Sequence, residues 1–337
     1  MTIFNNNFPA WSTLLASHFP SSFPMNPPQP LTLPLYRNLK TIDNNMRTRR
    51  PQPLHILRGH EKWVNSLTVK DGMLFSGSCD YTIKIWNIAS RTELKTLAGH
   101  QGSVNCITVI DEILFSGSDD KTIKIWDIAS GTMLKTLNGH QSWITCLTVH
   151  DGILFSGSGD STIKIWDIAS GTELKTLNGH QENVACLTVH DGMLISGSWD
   201  ETIKIWDIAT GTELETLNGH HNIVKCLTVQ DGMLFSGSGD ETIKIWDIAS
   251  GKNLCTLAGH QDAISCLMVK DGILISGSYD NTIKIWDIES RKELKTLRGH
   301  QGSVSCLTLK DGMLFSGSSD KTIRIWDFNP ISNDING

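Results

Sequence analysis

Serine, histidine and aspartate recur together along this chain, and these are the side chains that act as nucleophile, base and orienter in acyl transfer. One set is Ser156, His140 and Asp160, with Trp166 close behind. The histidines are His60, His100, His140, His180, His220, His260 and His300. The serines are Ser76, Ser116, Ser156, Ser196, Ser236, Ser276 and Ser316, and the aspartates Asp80, Asp120, Asp160, Asp200, Asp240, Asp280 and Asp320. The tryptophans are Trp86, Trp126, Trp166, Trp206, Trp246, Trp286 and Trp326. Seven copies of one active site would be peculiar, so the recurrence itself speaks against a hydrolase.

Other chemistry is equally periodic. Cys106, Cys146, Cys186, Cys226, Cys266 and Cys306 form one column, with Ser66 at the matching place in the first unit. Successive units should hold these thiols beyond the roughly 7 Å Cα limit for a disulfide, so they read as small buried residues of a reducing compartment, cytoplasmic or nuclear. Cys79 and Cys255 fall outside the column. No Cys-x-x-Cys or His-x-x-x-His spacing supports a zinc site, and no glycine-rich phosphate cradle appears, so no cofactor is expected. His150 and His190 read as surface polar residues beside a hairpin turn. The column Lys84, Lys124, Lys164, Lys204, Lys244, Lys284 and Arg324 sits among acidic neighbours. It reads as aliphatic stems over apolar surface with solvated heads, not as a phosphate-binding face.

The elements that must position these groups follow a fixed clock. The Gly-His pairs recur every 40 residues without insertion or deletion, and seven such units leave 57 residues in front. In the third unit, 144–149 is β-rich and Asp151-Gly152 makes a hairpin turn of the positive-φ type. Residues 154–158 form a second strand, 162–168 alternate with period two as a third, and 173–177 form a fourth. No window offers a convincing helix. The last unit stops after its third strand, whereas Pro53-Leu54-His55-Ile56-Leu57 aligns with Glu93-Leu94-Lys95-Thr96-Leu97. The first strand is therefore expected to complete the seventh unit and remove an open edge.

Gly-His and Trp-Asp landmarks at this period resemble those of the WD-repeat family, whose unit is a four-stranded propeller blade. The resemblance covers residues 53 to about 328, and Asn87 is the one departure from Asp at the second landmark. It implies an all-β, seven-bladed propeller closed by the N-terminal strand. It also implies that Trp, Ser, His and Asp of each unit form a structural hydrogen-bond chain, since an unpaired buried polar group costs about 1–3 kcal/mol. Phe-Ser-Gly-Ser, Thr-Ile-Lys-Ile-Trp and the bare Asp-Gly hairpin look like propellers that follow F-box, RING or kinase domains, where the propeller selects substrates. None of those companion domains is visible in the leader.

Composition bounds the function classes. The chain has 337 residues, 39% apolar and 19% charged, and no stretch near the roughly 18 consecutive apolar residues of a membrane span. The first basic residue is Arg37, and Pro9, Pro20 and Pro24 interrupt the early apolar stretches, so no secretory leader is expected. Residues 1–57 hold five basic groups against Asp43, while the remainder holds 24 basic and 34 acidic ones. An acidic body argues against nucleic acid as partner.

No unit has a lengthened loop on which an active site could be built. Function must then lie at positions the repeat leaves free. One variable column is Asn65, Asn105, Thr145, Ala185, Lys225, Ser265 and Ser305, just before the cysteine column. A second is Trp63, Ser103, Trp143, Asn183, Ile223, Ala263 and Ser303; a third is Cys79, Asp119, Gly159, Trp199, Gly239, Tyr279 and Ser319. The resemblance places all three on one rim. Trp143, Trp199, Ile223 and Tyr279 then follow one arc across units three to six, with Trp63 opposite and Lys225 as the basic exception among Glu61, Glu182 and Asp262. These six residues form the expected site for a protein or peptide with an apolar anchor and some positive charge.

Residues 1–52 hold eight of the ten prolines and read as mostly disordered, and 329–337 as a short tail. Within the leader, Trp11, Leu14, Leu15, His18 and Phe19 keep helical spacing, and Arg47-Thr48-Arg49-Arg50 is a short basic run that suits nuclear import or an acidic partner. The expectation is a monomeric, non-catalytic interaction scaffold without membrane attachment; a substrate-recognition subunit of a ubiquitin-ligase-type assembly is the alternative.

Overall fold

The structure, a computed structural model, describes residues 53–328. The leader segment with Trp11 and Phe19, the run Arg47–Arg50 and the tail 329–337 lie outside the described residues. Within them the chain forms 28 strands in seven four-stranded antiparallel sheets and no helix. Six sheets, blades one to six, are consecutive in sequence: 64–98, 104–137, 144–177, 184–217, 224–258 and 264–298. The seventh joins 304–327 to β1 (His55–Arg58), which pairs antiparallel with β28 (Thr322–Asp327) in the register His55 to Ile325 and Leu57 to Ile323. The ring is thus closed by a strand from the opposite end of the sequence.

Local sequence explains each corner. In blade three the strands are β10 (Ile144–His150), β11 (Ile153–Ser158), β12 (Ile163–Asp167) and β13 (Glu173–Leu177), within a residue or two of their sequence assignments. Asp151 and Gly152 take φ of 46° and 75°, the left-handed pair that a two-residue hairpin needs to match strand twist. The next turn is closed by Ser161 N donating to Ser158 O at 3.2 Å, and the third by Gly171 N donating to Asp167 O at 2.8 Å.

The core lies between blades. Phe155, Ile163, Ile165 and Leu177 of blade three pack with Val184, Leu194 and Trp206 of blade four, all of them buried. The same residue types recur at every junction, and at the seam Leu57, Phe315, Ile323 and Ile325 meet Val64, Leu74 and Trp86. Each sheet is apolar on both faces, so each needs a neighbour on either side.

The innermost hairpin of every blade carries a β-bulge, for example between Ile144 and Cys146. The bulged residue is always the one before the cysteine column. A bulge re-aims a side chain, and here it turns that column toward the next blade.

A chain starting at Gly59 loses β1 and leaves the apolar face of β28 and an open edge exposed. Its melting temperature, followed by circular dichroism, should fall by at least about 5 °C, since 1 kcal/mol is worth about 2–4 °C in a domain of this size and one buried Leu alone is worth about 2–5 kcal/mol. An unchanged melting temperature would contradict the closure.

Candidate functional site

The recurrent Ser, His, Asp and Trp are brought together within each blade. In blade one Trp86 Nε1 donates to Ser76 Oγ at 2.9 Å, His60 Nε2 lies 2.7 Å from the same oxygen, and His60 Nδ1 lies 2.7 Å from Asp80 Oδ2. The remaining six blades repeat these contacts at 2.7–2.8 Å. A neutral imidazole protonated at Nδ1 satisfies every donor: indole N–H to serine, serine O–H to Nε2, Nδ1–H to carboxylate. All seven serines are fully buried, so the arrangement presents no nucleophile to a substrate. Its geometry ties the Gly-His loop, two strands and the Asp turn into one unit.

The carboxylates are the charged end of this brace. Burial pushes the Asp80 carboxyl up, but hydrogen bonds from His60, Thr82 and the Glu61 amide outweigh it and hold the group well below the usual carboxylate range. The same holds at Asp120, Asp160, Asp200, Asp240, Asp280 and Asp320. In the cysteine column burial pushes Cys146 and Cys266 up to about 12, and all eight cysteines of the described residues are free thiols. Among the described residues no group of three or more His, Cys, Asp or Glu side chains could hold a metal ion.

The lysine column differs from its sequence reading, because most of its heads are paired rather than solvated. Lys84, Lys164, Lys204 and Lys284 each reach a glutamate of the outer strand (Glu93, Glu173, Glu213 and Glu293) at 2.7–2.9 Å. Met133 replaces that glutamate beside Lys124, whose head bonds Thr136 at 3.1 Å instead. Arg324, at the seam, faces β1, which supplies neither the glutamate nor the threonine, and lies 3.8 Å from Asp320. His150 and His190 sit beside their own turn aspartates, Asp151 and Asp191, at 3.3 and 3.4 Å.

Two of the three variable columns prove to be one place. Gly159 N donates to Trp143 O at 2.9 Å, Trp199 N to Asn183 O at 2.9 Å, Gly239 N to Ile223 O at 2.8 Å and Tyr279 N to Ala263 O at 3.0 Å. Cys79 N pairs with Trp63 O at 2.9 Å in the same way. Each blade therefore offers one backbone-paired position at the rim where its first strand begins. A large apolar side chain occupies it on blades one, three, four, five and six, while blades two and seven carry Ser103 with Asp119 and Ser303 with Ser319. On blade three the partner residue makes room: a Cβ at Gly159 would lie 2.6 Å from the Trp143 ring. Trp63 is 58% exposed, and Trp143, Trp199 and Tyr279 are 40–43% exposed, so these rings are presented to solvent.

The column containing Lys225 behaves differently, since the bulge points it at the neighbouring blade. Asn65 and Asn105 bond the carbonyls of Val104 and Ile144 at 3.1 and 2.9 Å. Lys225 instead crosses to Tyr279, its ammonium 4.8 Å from the ring centroid and 3.2 Å from the hydroxyl. A fourth variable column, at the positive-φ tip of the second turn, escaped the sequence reading. It is Tyr81, Lys121, Ser161, Glu201, Glu241, Asn281 and Lys321. Comparison of the units at this position alone would have found it. It adds exposed Glu201 and Glu241 to Glu182 and Asp262 on blades four to six, and places Tyr81 under Lys62 on blade one, 5.0 Å from ring centroid to ammonium.

These features define a class: a closed β-propeller of Trp-Asp repeats with an aromatic, acid-flanked rim. The family model described as WD domain, G-beta repeat matches residues 51–87, 91–127, 131–167 and 171–207, and the WDR41 β-propeller model matches 208–332. The chain belongs to the WD-repeat family. It is similar to the crystal structure of the computationally designed Ika8 protein, with 35% identity, TM-score 0.68, and coverage of 82% of this chain and 99% of that one. A stretch of 63 residues is 40% identical to the Neurospora crassa protein described as probable E3 ubiquitin ligase complex SCF subunit scon-2. That stretch is 19% of this chain and 10% of that protein.

Two outcomes check the brace. Ser156→Ala strands the Trp166 N–H and the His140 ring nitrogen in the core, and urea unfolding should show a loss of about 2–6 kcal/mol, from about 1–3 kcal/mol per unpaired group. The depressed aspartate pKa values give a second. Their stabilisation is complete above the unfolded value of about 3.9 and is lost as pH falls below it. Melting temperature should drop steeply below about pH 4; a chain that melts equally at pH 3 and pH 7 would refute the carboxylate's part.

Proposed function

We propose that the chain is a non-catalytic interaction scaffold that captures a protein or peptide partner on the rim formed by Trp63, Trp143, Trp199, Ile223, Lys225 and Tyr279. The observation that carries this is the unequal use of one equivalent position. The seven blades share their brace, their turns and their core, yet five place a large apolar group at the backbone-paired rim site and two place small polar or acidic residues there. Packing does not require those rings, because the polar pair on blades two and seven builds the same backbone. Exposed aromatic groups on one face are what a binding surface spends.

The flanking charge sets the chemistry of the partner. Exposed Glu182, Glu201, Glu241 and Asp262 lie within two positions of the paired residues Asn183 and Trp199, Gly239, and Ala263, and the ring of Tyr279 already accepts the ammonium of Lys225. An apolar or aromatic anchor flanked by Lys or Arg complements that sector, whereas an acidic segment is repelled by it. The fully buried serines support a reading without catalysis. The likeness of 63 residues to an SCF subunit supports a second reading, in which the partner is a substrate delivered to a ubiquitin ligase. Co-purification of cullin-adaptor components with the full chain separates that reading from a plain scaffold.

Immobilised full-length protein, screened against peptides that pair an aromatic anchor with basic or with acidic flanks, should retain the basic set. Replacing Trp143, Trp199 and Tyr279 together with Ala should abolish retention while moving the melting temperature by no more than about 6 °C, the range of three surface substitutions. Undiminished retention by the triple variant removes the proposal.

A further inference from the structure

Two sets of side-chain hydrogen bonds run between neighbouring blades, one around the inner strands and one around the outer edge, and both are interrupted on either side of the same blade. The inner set comes from the bulged column. Asn65 bonds Val104 O, Asn105 bonds Ile144 O, Thr145 bonds Val184 O, Ser265 bonds Val304 O and Ser305 bonds Val64 O. These serve five of the seven junctions. Between blades four and five the position is Ala185, which has no donor for the Val224 carbonyl. Between blades five and six it is Lys225, whose ammonium goes to Tyr279 and not to Ile264 O. From the side chains of the preceding blade, among the described residues, these two carbonyls receive only thiols, Cys186 at 3.7 Å and Cys226 at 3.8 Å, which are weak donors.

The outer set is a lysine of one blade reaching a turn carbonyl of the next. Lys95 Nζ bonds Ala129 O at 2.8 Å, Lys135 bonds Ser170 O and Lys175 bonds Thr210 O. At the seam Arg91 meets the His55 ring at 3.2 Å. Between blades four and five the equivalent residue is Glu215, a carboxylate that cannot donate to a carbonyl. Between five and six it is Cys255, too short to span the gap. The facing turn there holds Arg291 at φ 59°, where Gly131, Gly171 and Gly211 stand opposite the lysines. A Cβ at Gly171 would lie 2.5 Å from Lys135 Cδ, so a bulky turn residue would displace a lysine from this bond, and the junction of blades five and six, with Cys255 facing Arg291, is built without the clamp.

We propose that blade five, 224–258, is the point at which the ring opens, parting from blades four and six while the seam between β1 and β28 stays shut. The apolar cores on both of its sides use the same kinds of residue as the other junctions, Leu217, Val224, Leu234 and Trp246 on one and Leu257, Ile264, Leu274 and Trp286 on the other. What distinguishes this blade is the loss of both outer clamps and of both bonds to the Val224 and Ile264 carbonyls, with the exposed Lys225–Tyr279 bond standing in for one of them, and regions with fewer such ties open first. Trp199, Lys225 and Tyr279 straddle both weak junctions, so on the reading of the previous subsection a bound partner staples the blade in place.

Hydrogen exchange followed by mass spectrometry on the free full-length chain tests the opening without any partner, and so independently of that reading. The near-identity of the repeats cancels intrinsic exchange rates. Amides of β18 (Val224–Gln230) and β19 (Met233–Ser238) should exchange at least about tenfold faster than those of β10 and β11 in blade three, with about fivefold expected per missing bond. Ala185→Ser with Glu215→Lys, which copies the residues of clamped junctions, should slow blade five and leave blade three unchanged. Equal protection in all blades, fastest exchange in β1 and β28, or a blade five indifferent to the double substitution would each overturn the proposal.

Discussion

Seven sheets that are apolar on both faces can all be covered only if each lies between two others, and that condition closes the molecule into a ring. A row of such sheets would leave two faces wet. The cost of exposing even a few of the buried Phe, Ile and Leu side chains at one junction is comparable to the whole stability of an ordinary domain. The seven units that close the ring keep a constant spacing of 40 residues. The strand 55–58 in the seventh blade meets the condition of closure through hydrogen bonds, because it pairs the two ends of the ring within one sheet.

Within the ring, the hydrogen-bonded chain from Trp through Ser and His to Asp does for each blade what closure does for the whole. It spans the Gly-His loop, the second strand, the third strand and the turn between them, and leaves no donor unpaired. The resemblance to a catalytic triad is one of composition only. A nucleophile must meet its substrate, and each serine here meets an indole and an imidazole instead.

Much of this was legible in the sequence. The period of 40, the strand order, the Asp-Gly hairpins and the strand that closes the ring follow from spacing and turn chemistry, which are local. What was not legible depends on contacts between strands and between blades. Trp143 and Gly159, sixteen positions apart, read as members of two columns and turn out to be one backbone pair. Thr145 and Ser305 read as rim residues, but a bulge turns them onto the next blade's carbonyls. The lysine heads read as solvated because the glutamate that pairs with each lies nine positions away on another strand. In each case the missing information was the register of a strand pair, which periodicity alone does not supply.

The closed ring is tested most directly by a cross-link between its ends. Ile56 and Arg324 are register partners in the seventh blade, separated by most of the chain. Ile56→Cys with Arg324→Cys, oxidised mildly in the folded protein and mapped by mass spectrometry, should join 56 to 324 and to none of the native cysteines. A chain in which the thiol at position 56 stays free, or pairs with a native cysteine such as Cys255 in place of position 324, would show that the circle is not closed in the way described.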